Sequence, residues 1–172
     1  AFNKSHAACY AYVSFQTAWL KHYYPKEFMA ALMTSVIDNS SKIAEYILVC
    51  RQMGIPILPP DVNDGKAVFS VSGEGIRFGL SAIRAVGTAV SEEIVRERET
   101  GGAFRSLEDF IERLSNKEAN RRTLESFVKA GALDSMPGNR RQKLLLIPEL
   151  LDKKAKQKNL KQNLKILNMI YC

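Results

Sequence analysis

The residues best placed to do chemistry lie between Arg77 and Val90, in Phe78-Gly79-Leu80-Ser81-Ala82-Ile83-Arg84-Ala85-Val86-Gly87-Thr88-Ala89. This stretch reads as a short helix, a tight turn closed by a glycine, and a second helix from Thr88 to Glu99. The first amides of a helix have no intrahelical acceptor, and the helix dipole places partial positive charge there. A phosphate can sit on the N–H groups of about Val86, Gly87 and Ala89. Arg77 and Arg84 can add charge and Thr88 a hydroxyl. Gly87 is the residue expected to permit a positive φ or a close backbone approach. Amides hold phosphate whatever the base, so such a contact would be independent of nucleotide sequence. The competing reading is an ordinary turn between two packed helices.

A second cluster, Asn3-Lys4-Ser5-His6, sets a cation, a hydroxyl and an imidazole at the head of a helix. Lys4 can act as a point charge on a triphosphate. The plainer alternative is Ser5 capping the helix with Lys4 in solvent. The carboxylates Glu92, Glu93, Glu97, Glu99, Glu108, Asp109 and Glu112 interleave mostly with arginines, as solvated helix faces do. Asp61 and Asp64 lack a third partner, so no metal-dependent active site is expected. There is no Walker-type loop, GxSxG or usefully spaced Cys/His dyad. Cys9, Cys50 and Cys172 form no CxxC pair, which argues against a disulfide framework and a zinc site.

The net charge is +7, but its distribution matters more. Residues 1–136 carry 16 basic and 16 acidic side chains, whereas residues 137–172 carry 9 and 2. A neutral body that binds nucleic acid must rely on oriented amides and local arginines. In the tail, Lys153, Lys154, Lys156 and Lys158 can meet phosphates or stay solvated, without aromatics between them to stack on bases. A hydrophobic fraction of 46% fits a folded protein of one domain or two small ones. No apolar run approaches the roughly 20 residues of a membrane span, and no signal peptide is recognisable, so a cytoplasmic protein is expected.

These residues need elements to position them. Ser5 is the expected cap of a helix from about Ala7 to His22, apolar nearly all round and therefore expected to be buried in something large. Pro25 opens a second helix ending near Ser35. Asn39 or Ser40 caps a third, with Ile43, Ile47 and Cys50 inward and Gly54 at its end. Residues 57–62 read as an extended connector, because residues before proline leave the helical region. Residues 67–71 and 76–78 flank a Ser-Gly-Glu-Gly turn and read as a β-hairpin. Further helices are expected at Leu107–Leu114, at Arg122–Ala130 with Gly131 as stop, and from Arg140 with Asn139 as cap. Beyond about Leu151 no packed structure is expected. The fold class is mainly α with one small β-hairpin, the helical segment followed by tandem helix–hairpin–helix-like units at 79–99 and 107–131.

Three stretches go beyond a generic hairpin: Phe2 to Lys21 (FNKSHAACYAYVSFQTAWLK), Tyr24 to Leu32 (YPKEFMAAL) and Ile57 to Asn63 (ILPPDVN). With Arg77-Phe78-Gly79-Leu80 and Lys129-Ala130-Gly131-Ala132-Leu133-Asp134, they resemble the alpha subunit of bacterial DNA polymerase III, the family C replicative polymerases. The resemblance covers about residues 1–150. It implies a piece of an enzyme that adds deoxynucleotides to a primer on a template. Residues 1–66 would be the end of the fingers, 67–135 a β-hairpin plus helix–hairpin–helix region on the DNA backbone, and 136–172 a helix with a basic, flexible tail.

The resemblance also implies a nucleotide- or template-facing role for Lys4, Ser5 and His6, and backbone contacts at Arg77, Arg84, Ala85, Val86, Gly87, Thr88 and Ala89. The family's catalytic aspartates and Mg2+ belong to a palm domain upstream, so this segment alone should be inactive and hold no cofactor. Implied partners are primer–template DNA, the incoming deoxynucleotide and, through the parent, other replicase subunits and the sliding clamp, with no membrane. Gln157, Leu160, Gln162 and Leu164 match a clamp motif poorly. Ala85 stands where the helix–hairpin–helix motif of DNA-handling proteins usually has its first glycine, and the tail departs from the polymerase family near Lys161. A stand-alone DNA-binding module and a purely structural scaffold are the rival readings.

Overall fold

A computed structural model describes residues 3–114 and 120–170, with backbone alone for 161–170. It is mainly helical with one small sheet, as the sequence pattern predicts. The first helix, α1, spans Lys4–Tyr23. Its cap is Asn3 rather than Ser5: the Asn3 Oδ1 accepts from the Ser5 amide at 3.3 Å and the Ser5 hydroxyl at 2.7 Å. None of its residues is buried, and Tyr10, Tyr12 and Phe15 are more than 60% exposed. The helix expected to be enclosed is thus left uncovered among the described residues.

α2 (Pro25–Ser35) starts on its proline, whose missing N–H would have had no partner there. α3 (Ser40–Gln52) is capped by Asn39, which accepts from the Lys42 amide at 3.1 Å. Met29, Ala30 and Met33 of α2 meet Ile43 and Cys50 of α3 in one apolar cluster. Ile47 stays half-buried at its edge. Burial raises the Cys50 thiol above its usual range, as expected of a small apolar filler.

That cluster rests on a three-stranded sheet in the order β1-β3-β2. β2 (Ser70–Ser72) and β3 (Gly75–Arg77) form the hairpin, with Val71 opposite Ile76. The strands are shorter than expected and their turn is Gly73-Glu74. β1 (Ile57–Leu58) pairs parallel to β3, so part of the expected connector is a third strand.

The other cluster belongs to α4 (Thr88–Gly101), α5 (Leu107–Arg113), α6 (Arg121–Ala130) and α7 (Arg140–Ile170). Side-chain caps open α5 and α6: Ser106 accepts from the Asp109 amide at 3.2 Å and Asn120 from the Thr123 amide at 3.0 Å. Leu124, Phe127 and Val128 form the buried stripe of α6, and Phe127 meets Phe110 edge-on at 5.9 Å. Phe78 packs against both clusters and joins them. α7 corrects the expectation for the tail. It continues through Pro148 to Ile170, and Lys154 donates to the carbonyls of Ile111 and Leu114, at the end of α5. Cys172 and the side chains of Gln162 and Leu164 lie outside the described residues.

The loop at residues 59–66 ties the clusters together. Arg98 of α4 donates to the carbonyls of Val62 and Gly65 at 3.0 and 2.7 Å. Asn63 exchanges two hydrogen bonds with the backbone of Phe104, at 2.8 and 3.0 Å. The Val62 amide reaches the Ala132 carbonyl at 3.0 Å. The amides of Leu80 and Ser81 then bond the carbonyls of Lys66 and Ala67, which fixes the approach to the turn that follows.

Candidate nucleic-acid interface

The expected short helix is a single 3-10 turn, Leu80–Ala82. The Val86 amide bonds the Ile83 carbonyl at 3.0 Å and closes a four-residue turn with Arg84 and Ala85 at its centre. Ile83 and Val86 are buried and anchor both ends of the turn, while Arg84 and Ala85 are exposed. Ala85 has φ +65°, the one positive value on a non-glycine residue among those described. A positive φ at the third turn position alone is the pattern of a type II turn, which favours glycine there. Gly87 is not the left-handed residue: its φ and ψ are −84° and 160°, ordinary extended backbone.

Gly87 is not needed for turn geometry, and a Cβ at this position would meet nothing within 4 Å. The Val86 amide is consumed by the turn, so it is not a phosphate donor. The open donors are the amides of Gly87, Thr88, Ala89 and Val90. No side chain caps α4, and the first amide to find an acceptor is that of Ser91, bonded to the Gly87 carbonyl at 3.2 Å. Gly87, Thr88 and Ala89 are exposed beside Arg84, whose guanidinium has no protein partner among the described residues.

Arg77 is engaged elsewhere. It donates to the Pro59 carbonyl at 3.0 Å and pairs with Asp64. Its Nε is buried without a partner. Lys4, Ser5 and His6 lie on exposed α1, which packs against α2, with His6 edge-on to Tyr10 at 4.9 Å. The structure thus gathers Arg84, Ala85, Gly87, Thr88 and Ala89 on one surface over the buried Val86, ties Arg77 to the 59–64 loop, and carries Lys4 to His6 on a different element.

Nothing in the local sequence marks Thr123 as part of this surface. It is buried at the start of α6, and its hydroxyl lies 3.3 Å from both the Ala85 carbonyl and Asn120 Oδ1. The Asn120-x-x-Thr123 spacing marks a helix start. No local pattern links it to a turn 38 residues earlier. Beside Thr123, Glu125 accepts from Arg121 at 2.8 Å and Lys129 at 3.3 Å, hydrogen bonds that hold its carboxyl below the usual range. Among the described residues no three His, Cys, Asp or Glu side chains converge, so they offer no cradle for a divalent cation.

A 3-10 turn, a tight connection and an uncapped helix start resemble a helix–hairpin–helix unit. The helix-hairpin-helix motif family matches residues 54–143. The chain belongs to this family. The helix-hairpin-helix match takes in the sheet, the turn and α4 to α6. Over a longer stretch the chain is 53% identical to the DNA polymerase III subunit alpha of Thermus aquaticus, across 150 residues, or 87% of this chain. It is 47% identical to the Deinococcus radiodurans subunit across 154 residues, and 46% to that of Neisseria meningitidis serogroup B across 152. The resemblance to bacterial DNA polymerase III alpha subunits is borne out. The chain spans only 12 to 13% of the length of these relatives. No described helix is long and apolar enough to cross a membrane.

Proposed function

We propose that this chain is a segment of a replicative DNA polymerase, and that its own share of the work is to hold duplex DNA by the backbone. The observation that carries this reading is the uncapped start of α4, where the amides of Gly87 to Val90 have no acceptor and the exposed Gly87, Thr88 and Ala89 lie beside an unpaired Arg84. Donors of this kind suit a phosphodiester oxygen, and the helix dipole reinforces them. They read no base, which suits an enzyme that must travel over any sequence. Ala85 and Val86 shape this surface, while Gly87, Thr88 and Ala89 offer it. Arg77 serves it indirectly by bracing the 59–64 loop. Identity to alpha subunits along nearly the whole segment supports the polymerase parent.

In that parent, template-directed synthesis would use Mg2+ in a palm domain that these residues do not form. Lys4, Ser5 and His6 would lie near the incoming deoxynucleotide or template. The sliding clamp and other replicase subunits would be met through the parent protein, in the cytoplasm. Anisotropy titrations with two duplexes of equal length and unrelated sequence test the segment's role. Equal affinities, falling together with salt, are expected. A preference above about tenfold for one sequence would contradict backbone gripping. Primer extension by this chain alone with magnesium should give no product, and synthesis would overturn the assignment of catalysis to another part of the parent.

A further inference from the structure

Between the turn and α6 runs a groove of about 730 Å3. Pro60, Phe78, Ile83 and Ala130 give it an apolar floor, and Arg84, Arg122 and Lys129 give it a basic rim. Arg122 and Lys129 are two helical turns apart on α6, so they share a face about 10 Å apart along the axis. Arg122, like Arg84, is exposed, and its guanidinium has no protein partner among the described residues. The carboxylate lining the groove, Glu125, is already matched by Arg121 and Lys129. Positive charge on Arg84 and Arg122 is therefore left uncompensated.

We propose that this groove is a second seat for a DNA strand, continuing from the amides at Gly87–Val90 along α6, a proposal that rests on the duplex-binding reading above. A DNA strand alternates charged phosphates with the largely apolar edges of deoxyribose. The groove offers the complement: cations at the rim for the phosphates and an apolar floor for the sugars. The floor, the rim and the turn are contiguous, because Arg84 and Ala85 line the groove and directly precede the amides of α4. An acidic peptide is the other occupant such a rim could attract. The continuity with the amide cluster favours DNA.

The test compares the salt dependence of duplex binding for the 172-residue chain and its Arg122→Gln variant. Each lost phosphate contact lowers the log–log slope by about 0.9, so this variant should lose about 0.9 in slope. A charge-keeping Arg122→Lys variant should retain it. A folded glutamine variant with the wild-type slope would overturn the proposal. If that variant kept its duplex slope but lost an oligoglutamate peptide bound by the wild type, the occupant would be an acidic peptide and the proposal would fall. Gly87→Val separates the two sites. Lost affinity in Gly87→Val with an unchanged slope in the glutamine variant sinks the groove alone. The reverse result sinks the turn reading alone.

Discussion

Ala85 carries the sharpest consequence of the turn. An L-residue in the left-handed region costs on the order of 1–2 kcal/mol, and glycine escapes this while adding roughly 0.5–1 kcal/mol of unfolded-state entropy. Ala85→Gly should therefore stabilise the chain by roughly 0.5–1 kcal/mol and raise its thermal midpoint by about 2 °C in a melting experiment. A lower midpoint would show that φ +65° is not strained here. Thr123→Val removes the hydroxyl facing the Ala85 carbonyl and should cost about 1 kcal/mol, with Thr123→Ser restoring most of it in denaturant titrations. The glycine spacing made this turn legible in the sequence, but not which residue bears the positive φ. Gly87 looked like the hinge because it is the glycine. The closing hydrogen bond from Val86 to Ile83 puts the hinge two residues earlier.

At the scale of elements, the junction of α6 and α7 shows what was legible and what was not. Gly131 at φ +81° ends α6 and Asn139 opens α7, both readable as caps. Three residues on, Asp134 takes a two-point grip from Arg140, whose hydrogen bonds and charge hold its carboxyl below the usual range. The folded value lies below the unfolded one, so this contribution is present above about pH 4 and is lost as pH falls through the lowered value. Asp134→Asn should flatten that acid limb of a stability–pH profile. The effect will be small, since both side chains are about half exposed. Lys143 was not legible, because lysine reads as solvent. It is buried and donates to the Leu133 and Met136 carbonyls at 2.7 and 2.8 Å. Lys143→Met strands both acceptors and should cost about 2–3 kcal/mol in urea unfolding. The helical tail was missed for a related reason: its Lys- and Gln-rich composition favours helix but shows no apolar stripe to announce packing.

Across the whole molecule, the two apolar clusters and α1 stand apart in energetic weight. α1 buries none of its residues, so deleting residues 1–23 should leave the unfolding midpoint of the remainder within about 2 °C. A large drop would mean that α1 supports the α2–α3 cluster. Its exposed Tyr10, Phe15 and Trp19 form the kind of surface that marks an interface in a larger body, which suits a chain spanning about an eighth of its relatives. Sequence periodicity marks α1 as apolar nearly all round and points to burial in something large, and none of its residues is buried among the described residues. The charge distribution was equally readable: in a neutral body the proposed DNA grip falls mainly to backbone amides. Gly87→Val tests that proposed grip most directly, because a Cβ at this position meets nothing within 4 Å in the fold, whereas a phosphate seated on the amides would be crowded by the side chain. Duplex affinity should fall by about tenfold or more, roughly 1.4 kcal/mol, with the circular-dichroism spectrum unchanged. Wild-type affinity in a folded Gly87→Val protein would contradict that grip.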